Sequence, residues 1–322
     1  MDERRTENGA PAAGAEAGGR RVPAGGGRAR IAVFPKGYMD ELTTGSLTLS
    51  EWIAMAAETG AEGLELYPTF LKDTSAAALA AIKEEARRHG LLIPMMCSSP
   101  DFTHPDPEFR AGEIEKMKRL IDIMAVLGPD DFRSCRVLSG QARPGLAREN
   151  GVRWTVESIR ALLPYAAERR VHLVLENHYK DGYWQYPEFA LPVDIFREIA
   201  DRIESPWFGI NYDPSNALIA GADPIEVLRG VLPRVVTMHA SDRYLREGYS
   251  LEALQTYSLQ GYSEALAHGV IGRGMNDYDE IFRLLAEVRF RGWISVEDGV
   301  NGLDEMTESV RFLKMKREAY LT

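Results

Sequence analysis

Apolar residues along this chain come in two alternating textures. Short runs of β-branched and aliphatic residues are each followed by a longer stretch in which apolar positions return every three or four residues. The runs have the length and composition of buried parallel strands, and the periodic stretches are those of amphipathic helices. Strands are predicted over residues 30–35, 63–67, 91–97, 132–139, 171–177, 207–213, 234–240 and 293–297. Helices are predicted over 49–59, with Ser50 as N-cap, and over 75–89, 106–127, 152–169, 190–202, 224–229, 278–288 and about 304–319. Eight strand and helix units without antiparallel hairpin signals predict a (β/α)8 TIM barrel. A doubly wound open sheet is the competing fold. It would place a glycine-rich turn after its first strand, and Phe34-Pro35-Lys36-Gly37 is no such fingerprint.

Several predicted strands break their apolar run with polar side chains at the C-terminal end. The segment V-H-L-V-L-E-N-H ends in Glu176, Asn177 and His178, G-I-N-Y-D ends in Asp213, V-V-T-M-H in His239 and W-I-S-V-E in Glu297. Barrel enzymes build their sites at this end, and adjacent strands lie about 4.8 Å apart. Glu176, Asp213, His239 and Glu297 are therefore expected to converge on one divalent cation. Three carboxylates and one imidazole favour Mn²⁺ most, with Mg²⁺ or Co²⁺ as alternatives, over a thiolate-bound structural Zn²⁺. Four protein ligands on a six-coordinate ion leave room for two substrate oxygens.

Alternation along the fifth strand puts His178 on the same face as Glu176, where it is expected to act as a general acid or base. Lys180 follows in the same alternation and would stabilise an oxyanion. Glu65, Tyr67 and Arg136 lie at or near other strand ends and are expected either to line the pocket or to form salt bridges inside the barrel. His104 follows the third strand and is a candidate substrate contact. Tyr179, Tyr183, Trp184, Tyr186 and Tyr257 suit the apolar faces of a sugar or aglycone. The long connection over 242–277 contains a glycine-rich segment, 269–274, expected to fold over a bound sugar.

Composition narrows the partners. The chain has 322 residues, 45% of them hydrophobic, enough for one sizeable core. Residues 1–28 lack any apolar run and are expected to be a disordered tail, leaving one domain over 29–322. The net charge of -10 argues against nucleic acid and anionic lipid and favours a small-molecule sugar or glycoside. Cys97 and Cys135 both fall in predicted strands, which suggests a reduced, cytoplasmic protein without disulfides. No apolar stretch is long enough to span a membrane.

The segments L-E-N-H-Y-K-D-G, N-Y-D-P-S-N, M-H-A-S-D-R and I-G-R-G-M-N-D-Y, with the Glu, Asp, His, Glu order of the last four strands, carry a resemblance. The sequence resembles the xylose-isomerase-like barrel superfamily, especially sugar phosphate isomerases/epimerases, from Ile31 to Leu321. The resemblance implies that Glu176, Asp213, His239 and Glu297 bind metal and that Glu176 and Glu297 exchange a proton with carbon next to a carbonyl. Ketose epimerases of this fold carry a second histidine where this chain has Asn216, and an arginine whose counterpart would be Arg243; both are candidate substrate contacts. The first expectation is a metal-dependent sugar isomerase or epimerase. The second is a lyase acting by β-elimination on a 3-oxo-glycoside, similar to C-glycoside deglycosidase catalytic subunits, or a sugar dehydratase. A third, of another class, is a non-catalytic sugar-binding barrel. Association into a homo-oligomer or with a small partner subunit stays open.

Overall fold

The computed structural model describes residues 27–250 and 264–321. Its main sheet contains β1 (Arg30–Val33), β2 (Gly63–Leu64), β3 (Met95–Met96), β4 (Ser134–Val137), β5 (His172–Glu176), β6 (Phe208–Tyr212) and β7 (Val235–Ala240). An added pair, β8 (Arg243–Leu245) and β9 (Leu266–His268), precedes the last barrel strand, β10 (Trp293–Val296). The eight main strands run parallel in the order β2-β1-β10-β7-β6-β5-β4-β3. Isolated parallel bridges from Gly63 to Leu92 and from Leu66 to Met96 join β2 to the β3 side and close the barrel.

The eight predicted strands all form, but β2 and β3 are only two residues long. Pro94 explains the shortness of β3: it has no N–H to donate, so only its carbonyl takes part, accepting from the Ser134 amide at 2.9 Å. The interior is filled by large side chains such as Trp293, Ile31 and Leu64. Gly63 is needed where β2 passes Trp293, because a Cβ there would lie 2.7 Å from the indole ring and 2.8 Å from the Leu92 carbonyl oxygen.

Three expectations are corrected. The helix Leu49–Glu58 is capped by Thr48, not Ser50: the Thr48 hydroxyl accepts from the Glu51 amide while the Glu51 carboxylate accepts from the Thr48 amide. Ser50 is already helical and its hydroxyl donates to Glu85. The helix predicted from residue 190 runs Val193–Asp201, because the residue before Pro192 is held extended and the helix starts after the proline. An antiparallel hairpin, β8 with β9, does occur, in the connection after β7. Its three-residue strands were too short to give a periodic signal.

Of the tail, only Gly27 and Arg28 are among the described residues, and Arg28 pairs with Glu62 at 2.9 Å. Tyr257 lies outside the described residues. Cys97 and Cys135 are buried free thiols. Among the described residues, no helix is long and apolar enough to cross a membrane.

Candidate metal centre

Strands β5, β6, β7 and β10 are neighbours in the sheet, so their C-terminal ends meet on one side of the barrel mouth. Glu176 is the last residue of β5, Asp213 and Glu297 directly follow β6 and β10, and His239 is next to last in β7. One donor atom from each of the four lies within 4.8 Å of the others, and all four side chains are buried. The backbone holding them is stiffened from the side. Asn177, pointing away from Glu176, donates to the Asp213 carbonyl at 2.6 Å and accepts from the Asp213 amide at 2.8 Å.

Every ligand-type group has a second partner outside the cluster. His239 places Nδ1 3.1 Å from Glu176 Oε1 and 3.4 Å from Glu297 Oε2, and its Nε2 2.9 Å from Glu65 Oε2. Arg136 donates to Glu176 Oε2 at 2.8 Å, and Lys36 donates to Glu297 Oε1 at 3.1 Å. Asp213 Oδ1 accepts from the Asn216 amide at 2.9 Å and the Ser241 hydroxyl at 2.7 Å. Each glutamate thus keeps one oxygen on a protein cation and turns the other toward the ring.

The electrostatics mark what is missing. Burial would raise the Glu176 carboxyl, but the His239 ring and the Arg136 guanidinium bring it down to about 2. Burial likewise opposes ionisation of Glu297, and Lys36 with His239 hold it well below the usual carboxylate range. Asp213 has no such cation: burial, then Glu297 and Glu176, push it well above that range. Burial works against a charged His239 ring, yet Glu176, Glu65 and Glu297 hold its pKa well above the ordinary value. The centre carries one more acid than its own cations offset. A divalent ion among three oxygens and the Nδ1 nitrogen would offset it, so these residues fit such an ion.

The remaining predicted site residues separate into groups. Asn216 reaches the centre, its amide donating to Glu176 Oε1 at 3.3 Å. Arg243 is buried, its guanidinium makes no hydrogen bond or ion pair with a described residue, and Nε is sealed from solvent. Glu65 is fully buried and committed to His239, Ser295 and Cys97, the pairing inside the barrel that was the second of its two readings. Arg136 forms the salt bridge inside the barrel that was the second of its two readings.

His178 is not among the clustered donors; its Nδ1 faces the Glu188 carboxylate at 3.2 Å. His104 is placed away from the centre, stacked on Phe109 with ring centroids 4.0 Å apart and accepting from the Asp106 amide. It thereby holds the entry to the helix Pro107–Leu127. Lys180 is half-buried with no partner among the described residues. Tyr183 is 63% exposed on a loop anchored by Asp181. The segment 269–274 is pinned rather than free to close: Gly272 and Gly274 donate their amides to Asp242 Oδ2, each at 2.9 Å.

Sequence reading passed over Lys36, Asp181 and Glu188. Lys36 lies just beyond β1, so the strand-end rule that found the four ligands applies to it too. Asp181 accepts from Ser99 and Tyr67, and Glu188 from Ser139 and His178. Both sit in a polar loop, and Ser99, Tyr67 and Ser139 reach them from the ends of other strands, a pattern that leaves no local trace.

Comparison with known proteins agrees with this architecture. An inosose dehydratase from Bacillus thuringiensis (strain Al Hakam) is 26% identical over 132 residues, covering 41% of this chain and 42% of that protein. The chain thus aligns with less than half the length of the curated relatives it matches. A D-tagatose 3-epimerase-like protein superposes with a TM-score of 0.69 at 18% identity, over 90% of this chain and 98% of that one. A probable 3-DHS dehydratase, AsbF from Bacillus anthracis, superposes with a TM-score of 0.65 at 19% identity, over 88% and 98%. A family model described as "Xylose isomerase-like TIM barrel" matches residues 53–316, and the chain belongs to that family.

Proposed function

We propose that this chain is a divalent-metal-dependent enzyme that removes a proton from carbon next to a carbonyl of a sugar, cyclitol or glycoside and completes the reaction by β-elimination. The observation that carries the reading is the four-residue centre, with two glutamates facing Nδ1 of the His239 ring and an aspartate lacking a counter-cation. A divalent cation held there, Mn²⁺ in our reading, would polarise the carbonyl and acidify the neighbouring carbon–hydrogen bond. The side chains supply the rest. Glu176 and Glu297, each oriented by a cation on one oxygen, are placed to take the carbon-bound proton. Arg243, a buried guanidinium without a partner among the described residues, is suited to a substrate oxygen. Asn216 offers an amide beside Glu176.

Two observations favour elimination. His178 is an imidazole two residues beyond Glu176 that is not among the clustered donors, so it can protonate a leaving group. The curated relative is named for the loss of water from an inosose. Isomerisation or epimerisation is the second reading, favoured by the paired glutamates, one of which could take the proton while the other delivers one to the opposite face or the neighbouring carbon.

Proton NMR in D2O tests both, with Mn²⁺-exchanged then Mg²⁺-loaded protein and a panel of inososes, ketoses and 3-oxo-glycosides. Elimination predicts deuterium exchange next to the carbonyl together with release of water or aglycone and an unsaturated keto product. Deuterium in an epimer or aldose would establish the second reading. No exchange in any compound, with metal bound, would contradict proton abstraction altogether.

A further inference from the structure

Glu188 lies in the loop after β5, ten residues beyond His178, and its carboxylate is completely buried. Its two oxygens have different duties. Oε1 accepts from the Ser139 amide at 2.7 Å and the Ser139 hydroxyl at 2.8 Å. The hydroxyl has little choice of direction, since its oxygen already accepts from the Ala190 amide at 3.0 Å, and its other acceptor, the Gly140 carbonyl, is 3.5 Å away. Oε2 is left facing His178 Nδ1 at 3.2 Å. The Glu188 amide closes the loop by donating to the Tyr179 carbonyl at 2.8 Å.

We infer that Glu188 is the positioning residue of His178, holding its ring with Nδ1–H on the Glu188 carboxylate so that Nε2 is presented at the barrel mouth to take or give a proton. An acceptor opposite Nδ1 requires a proton on Nδ1. Nε2 makes no hydrogen bond to a described residue and is not sealed from solvent. The ring stands two residues beyond Glu176 on a backbone that the Asn177 and Asp213 pair fixes, so its place along the strand end is set. The inference rests on the reading of His178 as an acid or base and assigns the residue that prepares it.

The two Ser139 donors make the test sharp. In Glu188→Gln the amide oxygen must take the Oε1 place, because an amide NH2 there would meet the Ser139 backbone N–H donor against donor. The amide NH2 then faces Nδ1, which must accept, and the ring proton moves to Nε2. Long-range proton–nitrogen NMR of the ¹⁵N-histidine-labelled full chain at alkaline pH reads this directly, with the His178 signal assigned by its loss in His178→Gln. The expected result is Nδ1–H in the unsubstituted protein and Nε2–H in Glu188→Gln. On the panel compound that exchanges fastest, Glu188→Gln is expected to fall by about 10²-fold or more in kcat, with Mn²⁺ affinity unchanged. The same tautomer in both proteins would overturn the assignment of Glu188 whatever the turnover. Full turnover in His178→Gln would instead remove the ring from the reaction and overturn the inference as a statement about catalysis.

Discussion

At the scale of single residues, the centre depends on how His239 is held. Glu65 Oε2 opposite Nε2 keeps a proton on that nitrogen and leaves Nδ1 toward the other donors. Glu65→Gln turns an acceptor into a group that can donate, and second-sphere changes of this kind typically cost 10–100-fold in metal affinity. Calorimetric titration with Mn²⁺ is expected to show a loss in that range; an unchanged affinity would mean that the ring is oriented by packing alone. The clustering of these four residues was legible in the sequence because each ends an apolar run, so its position along a strand fixes its position in the barrel. Glu65 was found by the same rule, and of its two readings the pairing inside the barrel is the one seen, without its partners having been named. Its partners come from β7, β10 and the end of the third strand, and one sequence does not show which strand ends meet across the mouth.

At the scale of elements, the helix Leu49–Glu58 gives a clean comparison. Thr48 and Glu51 form a reciprocal cap, whereas Ser50 lies within the first turn and its hydroxyl bonds the Glu85 carboxylate. Thr48→Ala is expected to destabilise the protein by about 1 kcal/mol and Ser50→Ala by less than about 0.5 kcal/mol in urea denaturation. Equal losses would contradict the assignment of the cap. Most elements were readable because helix and strand periods differ and glycine, proline and capping residues punctuate them. The exceptions have local causes. Pro94 shortens β3, Pro192 delays a helix, and β8 with β9 is too short for a period to register. The segment 269–274 reads as a flexible lid because of its glycines, yet those glycines bring backbone amides onto the Asp242 carboxylate.

At the scale of the whole molecule, the two ends of the barrel have separate tasks. The centre occupies the C-terminal mouth, while His172 begins β5 at the opposite end, its ring centroid 4.9 Å from both Phe132 and Trp207 and neither nitrogen hydrogen-bonded. Burial lowers its pKa to about 4 from an ordinary value of about 6.5. Between those values the unfolded chain binds the proton and the folded one does not, so stability falls as pH falls from about 6.5 to about 4. The full effect is about 3 kcal/mol. His172→Phe is expected to lose that much less stability than the unsubstituted protein between neutral pH and pH 4; parallel losses would contradict a neutral buried ring. The account as a whole stands on the centre at the other end. The most direct test is electron paramagnetic resonance of the metal-depleted protein titrated with Mn²⁺. The unsubstituted chain is expected to take up a single ion, read as loss of the free-ion signal, and the Asp213→Ala, His239→Ala double variant to take up none at the same concentrations. No uptake by the unsubstituted chain, or equal uptake by both, would contradict the central claim that Glu176, Asp213, His239 and Glu297 form a metal centre.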